Sequence, residues 1–125
     1  MYELTVELPF SAAHCIPEHP GKCARLHGHS YRALIVVSGE QVNGQGMLVD
    51  FGDLRARCDP VIAGLDHRYL NELPAFAETV PTAEAIARLI YRQVRAALAA
   101  SPEIPARVAR VTVYESERAC ATYWE

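Results

Sequence analysis

The chain has 125 residues, half of them hydrophobic and 22% charged, which suits one ordinary core and not two. Twelve basic residues against fifteen acidic ones leave a net charge of −3, so bulk electrostatics argue against a nucleic-acid or acidic-membrane partner. No apolar run approaches the ~20 residues that span a bilayer, and Cys15, Cys23, Cys58 and Cys120 lack C-x-x-C spacing.

Met1-Tyr2-Glu3-Leu4-Thr5 has no basic region followed by an apolar one. A cytoplasmic, reduced setting without a disulfide framework is therefore expected, with residues 1–125 forming a single domain. From Tyr2 to His14 the even positions read Tyr, Leu, Val, Leu, Phe, Ala, His, while Glu3, Thr5, Glu7, Pro9 and Ser11 fill the odd ones. This period of two is a half-buried strand, with Pro9 restricting it to an edge, a bulge or a break. If the register survives Pro9, His14 closes the apolar row.

Residues 15–26, with Pro17, Pro20 and Gly21, read as a loop, and 29–39 as a second strand. Residues 41–46 make a turn before the short run 47–49; Gly44-x-Gly46 is no phosphate loop, because no helix follows at the required spacing. Asp50 is a candidate cap for a helix starting at Phe51, with Asp53 suiting its positive end. Phe51, Leu54, Cys58, Val61 or Ile62, and Leu65 recur at helical spacing. Pro60 inside that pattern should cost about 3 kcal/mol or kink the helix near residue 56.

Residues 71–81 connect to a second helix, capped by Thr82, with Glu84 near its positive end. Its apolar stripe is Ile86, Ile90, Val94 and Leu98, opposite Arg88, Arg92 and Arg95. Residues 107–116 and 119–124 are two more strands, joined closely enough to be a hairpin. The order β-β-α-α-β-β predicts an α+β layer fold, an antiparallel four-stranded sheet with two helices on one face.

Chemistry concentrates in Lys22-Cys23-Ala24-Arg25-Leu26-His27-Gly28-His29-Ser30-Tyr31. On a strand, His27 and His29 face the same side about 6.6 Å apart, near enough for both rings to reach one metal ion. His14 offers a third imidazole, with His19 a competitor from a solvated loop. Three neutral imidazoles with an open fourth position describe a catalytic zinc site, and zinc is preferred to iron because no carboxylate completes a two-histidine set.

Cys23, flanked by Lys22 and near Arg25, reads as a base or nucleophile, as a fourth soft ligand, or as a loop thiol without a role. Cys15, Cys58 and Cys120 read as structural. Asp66-His67 is a proton-shuttling pair or a turn-and-cap feature. Glu115 continues the apolar row of Val111 and Val113, so it either lies at the rim or meets a donor-rich, guanidine-like ligand edge.

The segments F-S-A-A-H (10–14), K-C-A-R-L-H-G-H-S-Y (22–31), V-D-F-G-D-L (49–54), L-D-H-R-Y-L-N (65–71), P-T-A-E-A-I-A (81–87) and V-T-V-Y-E (111–115) together resemble the 6-pyruvoyltetrahydropterin synthase / 6-carboxytetrahydropterin synthase family. The resemblance runs over nearly the whole chain. It implies a tunnelling fold, in which three subunits close their sheets into a barrel and two trimers stack as a homohexamer. It implies Zn2+ on His14, His27 and His29, and catalysis by Cys23, Asp66 and His67. It further implies a pterin anchored by Glu115, with Thr82 and Glu84 as lesser contacts.

It implies an active site between subunits, with Cys23 and the Asp66-His67 pair meeting only across that interface. Three residues between Cys23 and His27 resemble the bacterial 6-carboxytetrahydropterin synthases of queuosine (7-deazaguanine) biosynthesis. These lyases convert 7,8-dihydroneopterin triphosphate to 6-carboxytetrahydropterin, acetaldehyde and triphosphate. Lys22, Arg25 and Arg32 are candidates for the triphosphate. A 6-pyruvoyltetrahydropterin synthase, or a zinc-bearing pterin binder without turnover, stand as alternatives.

Overall fold

Two thirteen-residue strands, β1 (Tyr2–His14) and β2 (His27–Gly39), pair antiparallel along their whole length in the computed structural model, which describes residues 1–125. Alternation sends Val6, Leu8, Phe10, Ala12 and His14 of β1 inward together with Tyr31, Ala33, Ile35 and Val37 of β2. The second strand starts at His27, two residues before the expected boundary. His14 and His27 are thereby opposite each other at the end of the ladder, and His29 lies opposite Ala12.

Pro9 neither breaks nor bulges β1; it stays in register opposite Arg32. The reason is visible two residues on. The N–H of Ser11 donates to Asp66 Oδ1 and its carbonyl accepts from His67 N, so both groups point away from β2. Residues two apart on a strand share that direction, which places the nitrogen of Pro9 on the outer edge, where no ladder bond is lost.

Helix α1 (Phe51–Ala63) begins as expected, with Asp50 Oδ1 accepting from Gly52 N and Asp53 N at 2.8 and 3.2 Å. It buries Leu54, Cys58, Val61 and Ile62. Pro60 does not interrupt it. Ala56 and Pro60 are both exposed, so the carbonyl that loses its helical donor is left to water, and only three residues of helix follow. Helix α2 (Ala83–Ala99) is capped by Thr82 Oγ1, which accepts from Ala85 N at 3.2 Å. Its inward stripe runs through Ile86, Ile90, Val94 and Leu98, joined by Tyr91.

Between the helices lies a strand that the sequence pattern does not announce. β3 (Arg68–Tyr69) pairs parallel to Ala12 and Ala13. β4 (Arg107–Ser116) pairs antiparallel with β2 and with β5 (Ala119–Tyr123), giving the order β3-β1-β2-β4-β5. The four long strands are antiparallel as expected, and the small parallel strand makes the sheet mixed and five-stranded. β4 carries an extra residue in two places. Ala109 has no partner between the pairs Val37–Val108 and Val36–Arg110, and Glu115 has none between Tyr114–Cys120 and Ser116–Ala119. Both are β-bulges.

One cluster of 27 buried side chains joins the inner sheet face to both helices. The opposite face is polar: Arg110 grips Glu3 through two bonds of 2.8 and 3.0 Å, and Thr112 meets Thr122 at 2.7 Å. No helix is long and apolar enough to cross a membrane.

Candidate active site

The ends of β1 and β2 bring His14, His27 and His29 into one group whose ligand atoms lie within 4.8 Å of one another. The three rings meet edge to face, with centroids 4.6 to 5.1 Å apart. Pairing dictates this: two histidines face each other across the ladder and the third is one step inward on the same side.

Backbone carbonyls set the tautomers. His14 Nδ1 donates to Pro81 O and His27 Nδ1 donates to Arg25 O, each at 2.7 Å. A carbonyl only accepts, so both Nδ1 atoms carry the proton and both Nε2 atoms present lone pairs. His14 is wholly buried, and Nε2 of His14 and of His29 have no hydrogen-bond partner. Desolvation, opposed by Glu115 and reinforced by the neighbouring His14 and His27, holds the pKa of His29 below its ordinary value. Orphaned imidazole nitrogens with oriented far sides are the donor set a divalent metal needs, so the residues fit a zinc ion.

His19 does not compete. Its Nδ1 accepts from Gly21 N at 2.9 Å within an exposed turn.

Glu115, at the second bulge of β4, reaches the same point. Its Oε1 lies 3.4 Å from His14 Nε2 and 3.5 Å from His29 Nε2, and its side chain is one-third exposed. The premise that no carboxylate accompanies the histidines is therefore corrected, because a bulge aims one there from a distant strand. Tyr31 Oη is also buried beside the histidines without a partner, and burial, then the charge of Glu115, pushes its pKa up.

Cys23 sits in a single 3-10 turn (Lys22–Ala24) and is not among the clustered ligands. It lines a cavity of about 370 Å³ with Lys22, Arg25, Leu26, His27 and His29, a volume within the usual small-molecule range. The loop carrying it is held shut. Ile16 N donates to Cys23 O at 2.8 Å, and Asn71 accepts from Cys15 N and donates to Cys15 O, both at 3.0 Å. Arg32 is not part of this cavity: it pairs with Glu7 on the opposite face and stacks over Tyr114, 4.3 Å from the ring centroid.

Asp66 and His67 pair within the chain, Oδ1 to Nδ1 at 3.0 Å. Neighbours on a strand could not do this. Here His67 adopts a positive φ of 57°, and the turn folds its ring back on the carboxylate. The amide of Ser11, then His67, lowers the pKa of Asp66. His67 is 82% exposed, and neither residue lines the Cys23 cavity.

Thr82 follows directly on Pro81, whose carbonyl holds His14, and Glu84 lies in the first turn of α2, so the start of this helix borders the histidine cluster. Sequence reasoning missed the two orienting carbonyls and the Asn71 clamp. Only the clamp had a signal, an asparagine beside the Asp66-His67 segment.

The 6-pyruvoyl tetrahydropterin synthase family model matches residues 3–125. A 6-carboxy-5,6,7,8-tetrahydropterin synthase from Synechocystis is 40% identical over 102 residues, covering 78% of each chain. The enzyme of that name from Bacillus subtilis is 38% identical over 102 residues, covering 78% of this chain and 68% of that one. Human 6-pyruvoyl tetrahydrobiopterin synthase is 32% identical over 108 residues, covering 82% and 70%. The structure of Caenorhabditis elegans 6-pyruvoyl tetrahydropterin synthase superposes with a TM-score of 0.84 at 28% identity, covering 100% of this chain and 97% of that one. Histidine cluster, sheet order and sequence agree: this chain belongs to the 6-pyruvoyl tetrahydropterin synthase family.

Proposed function

We propose that this protein is a zinc-dependent 6-carboxy-5,6,7,8-tetrahydropterin synthase, a lyase converting 7,8-dihydroneopterin triphosphate to 6-carboxytetrahydropterin, acetaldehyde and triphosphate in queuosine biosynthesis. The observation that carries it is the trio of His14, His27 and His29, two of them oriented by backbone carbonyls and two with buried, unpartnered Nε2 atoms. The relatives at 38–40% identity bearing that name support the product.

In this reading the three histidines hold the metal, which when bound supplies Lewis-acid polarisation of substrate oxygens. Cys23 and His67 move protons, and Asp66 holds the His67 tautomer through Nδ1. Glu115 accepts two N–H bonds from the guanidine-like edge of the pterin, with Thr82 and Glu84 as further contacts. Lys22 and Arg25, on the rim of the Cys23 cavity, meet the triphosphate. Residues 1–125 act as one domain in a cytoplasmic homohexamer of two stacked trimers, where Cys23 of one subunit and Asp66-His67 of another complete a site.

A second reading, 6-pyruvoyltetrahydropterin synthesis without carbon–carbon cleavage, is favoured by the likeness to the human and nematode proteins of that type. A third is pterin binding without turnover. Incubating zinc-loaded protein with dihydroneopterin triphosphate, followed by mass spectrometry, separates all three. A carboxy product with acetaldehyde supports the lyase, a pyruvoyl product supports the second reading, and bound but unchanged pterin supports the third.

A further inference from the structure

We propose that Glu115 is the fourth ligand of the cation held by His14, His27 and His29 while pterin is absent, and that arriving pterin takes this carboxylate away from it. The proposal rests on the pterin-anchoring role given to Glu115 above. It goes beyond that role by making the site closed at rest and opened by its own substrate.

Charge balance is the first support. His14 Nδ1–H is committed to Pro81 O, so its Nε2 presents a lone pair. The Glu115 carboxylate lies 3.4 Å from that lone pair and 3.5 Å from the unpartnered Nε2 of His29. The lone pair of His14 Nε2 and the Glu115 carboxylate face each other with nothing of opposite sign between them, and the unpartnered Nε2 of His29 converges on the same point. His14 is wholly buried, and its Nε2 contact with Glu115 lacks hydrogen-bond alignment, so the two atoms do not satisfy each other. A divalent cation satisfies all three atoms at once.

Distance is the second. Ligands at tetrahedral vertices about 2.0–2.1 Å from zinc are about 3.3–3.4 Å apart, whereas neighbouring vertices of an octahedron with similar bonds are only about 2.9 Å apart. The Glu115 spacings match the tetrahedral edge. The histidine trio, spread over as much as 4.8 Å, draws inward to close on the ion.

The third support is local structure. Glu115 is the unpaired residue of a bulge, joined to neither neighbour's ladder, and its side chain keeps one-third of its surface. Bulges re-aim side chains beside active sites. A carboxylate so mounted can turn from the cation to the pterin N–H groups without disturbing the sheet. Because one carboxylate cannot serve both, pterin binding frees a coordination position only when the ligand that needs it has arrived.

The test uses full-length protein loaded with Co(II) for visible absorption and with Zn(II) for chelator competition. Glu115→Gln keeps the shape and removes the charge. It is expected to weaken zinc binding tenfold or more and to change the Co(II) ligand-field bands in the absence of pterin. Glu115→Asp, which shortens the arm but keeps the charge, should fall between them. Adding neopterin should shift the wild-type bands toward those of Glu115→Gln and leave the variant's bands almost still.

Zinc affinity within twofold of wild type together with superimposable Co(II) spectra overturns the proposal. So does a neopterin shift equal in wild type and variant. A wild type that shows these ligand changes but yields no carboxy- or pyruvoyl-pterin leaves Glu115 ligation standing and removes the enzyme reading. A wild type that binds neither metal removes both.

Discussion

His14 Nδ1 donates to the carbonyl oxygen of Pro81, 2.7 Å away and 67 positions further along the chain. The bond ties the end of β1 to the residue before the α2 cap and decides which nitrogen of His14 is free for a metal. His14→Asn tests the two functions separately, because the asparagine amide can occupy the Nδ1 position but has no atom at Nε2. The variant should melt within about 1 kcal/mol of metal-free wild type yet gain nothing from zinc. His14→Ala should lose about 2–4 kcal/mol, since it leaves a cavity and an unpartnered buried carbonyl. Calorimetry with and without zinc checks both.

Zinc itself should stabilise the folded chain by mass action. At free zinc a hundredfold above Kd the gain is about 2.7 kcal/mol, a Tm rise of roughly 8–15 °C for a domain of this size. A chelator should reverse it. His27→Ala and His29→Ala should each abolish the rise, and a rise that survives either substitution places the metal elsewhere.

Asp66 predicts a pH signature. Its carboxyl pKa is lowered from the ordinary 3.8 by the Ser11 amide and then by His67. Between the lowered folded value and 3.8 the unfolded chain binds more protons than the folded one, so stability rises with pH through that window. The contribution is present above the unfolded value and lost as pH falls through the folded one. The Tm difference between wild type and Asp66→Ala should therefore be full near pH ~6 and narrow below pH ~3.8. A difference constant across the acid range would mean that the carboxylate's charge is not what holds this turn.

Three of the four thiols should differ in reactivity. Cys58 is fully buried on α1, and burial, then Asp59, pushes its pKa up to about 11. It should stay unmodified by iodoacetamide in folded protein at neutral pH. Cys23, half-buried in an open cavity, and exposed Cys120 should react, and only modification of Cys23 should stop turnover. Peptide mass spectrometry gives the order of labelling.

The strands and helices were legible because their patterns are long. Thirteen residues of alternation in β1 outweigh Pro9, and the α2 stripe extends from a cap that Thr82 announces. The histidine trio was legible because His27 and His29 share a strand face whatever surrounds them. Glu115 was placed on the inner face of β4, but its approach to the histidines depends on a bulge, and a bulge leaves no composition signal. The Asp66–His67 contact depends on a left-handed backbone at His67, a conformation rarely signalled by a histidine. Arg32 looked available to an anion, yet its even position on β2 turns it to the far face, where Glu7 already pairs with it. β3 is two residues long and exists because Ala12 and Ala13 offer it an edge.

That edge has a built-in limit. Asp66 and His67 occupy the outward groups of Ser11, and Pro9, next along, offers no N–H. The donors left facing outward on β1 belong to Glu3, Thr5 and Glu7. A neighbouring strand can take N–H donors from β1 only as far as Glu7, with the Pro9 carbonyl as one last acceptor, so a single imino acid marks where the seam along which another copy could be joined runs out of donors.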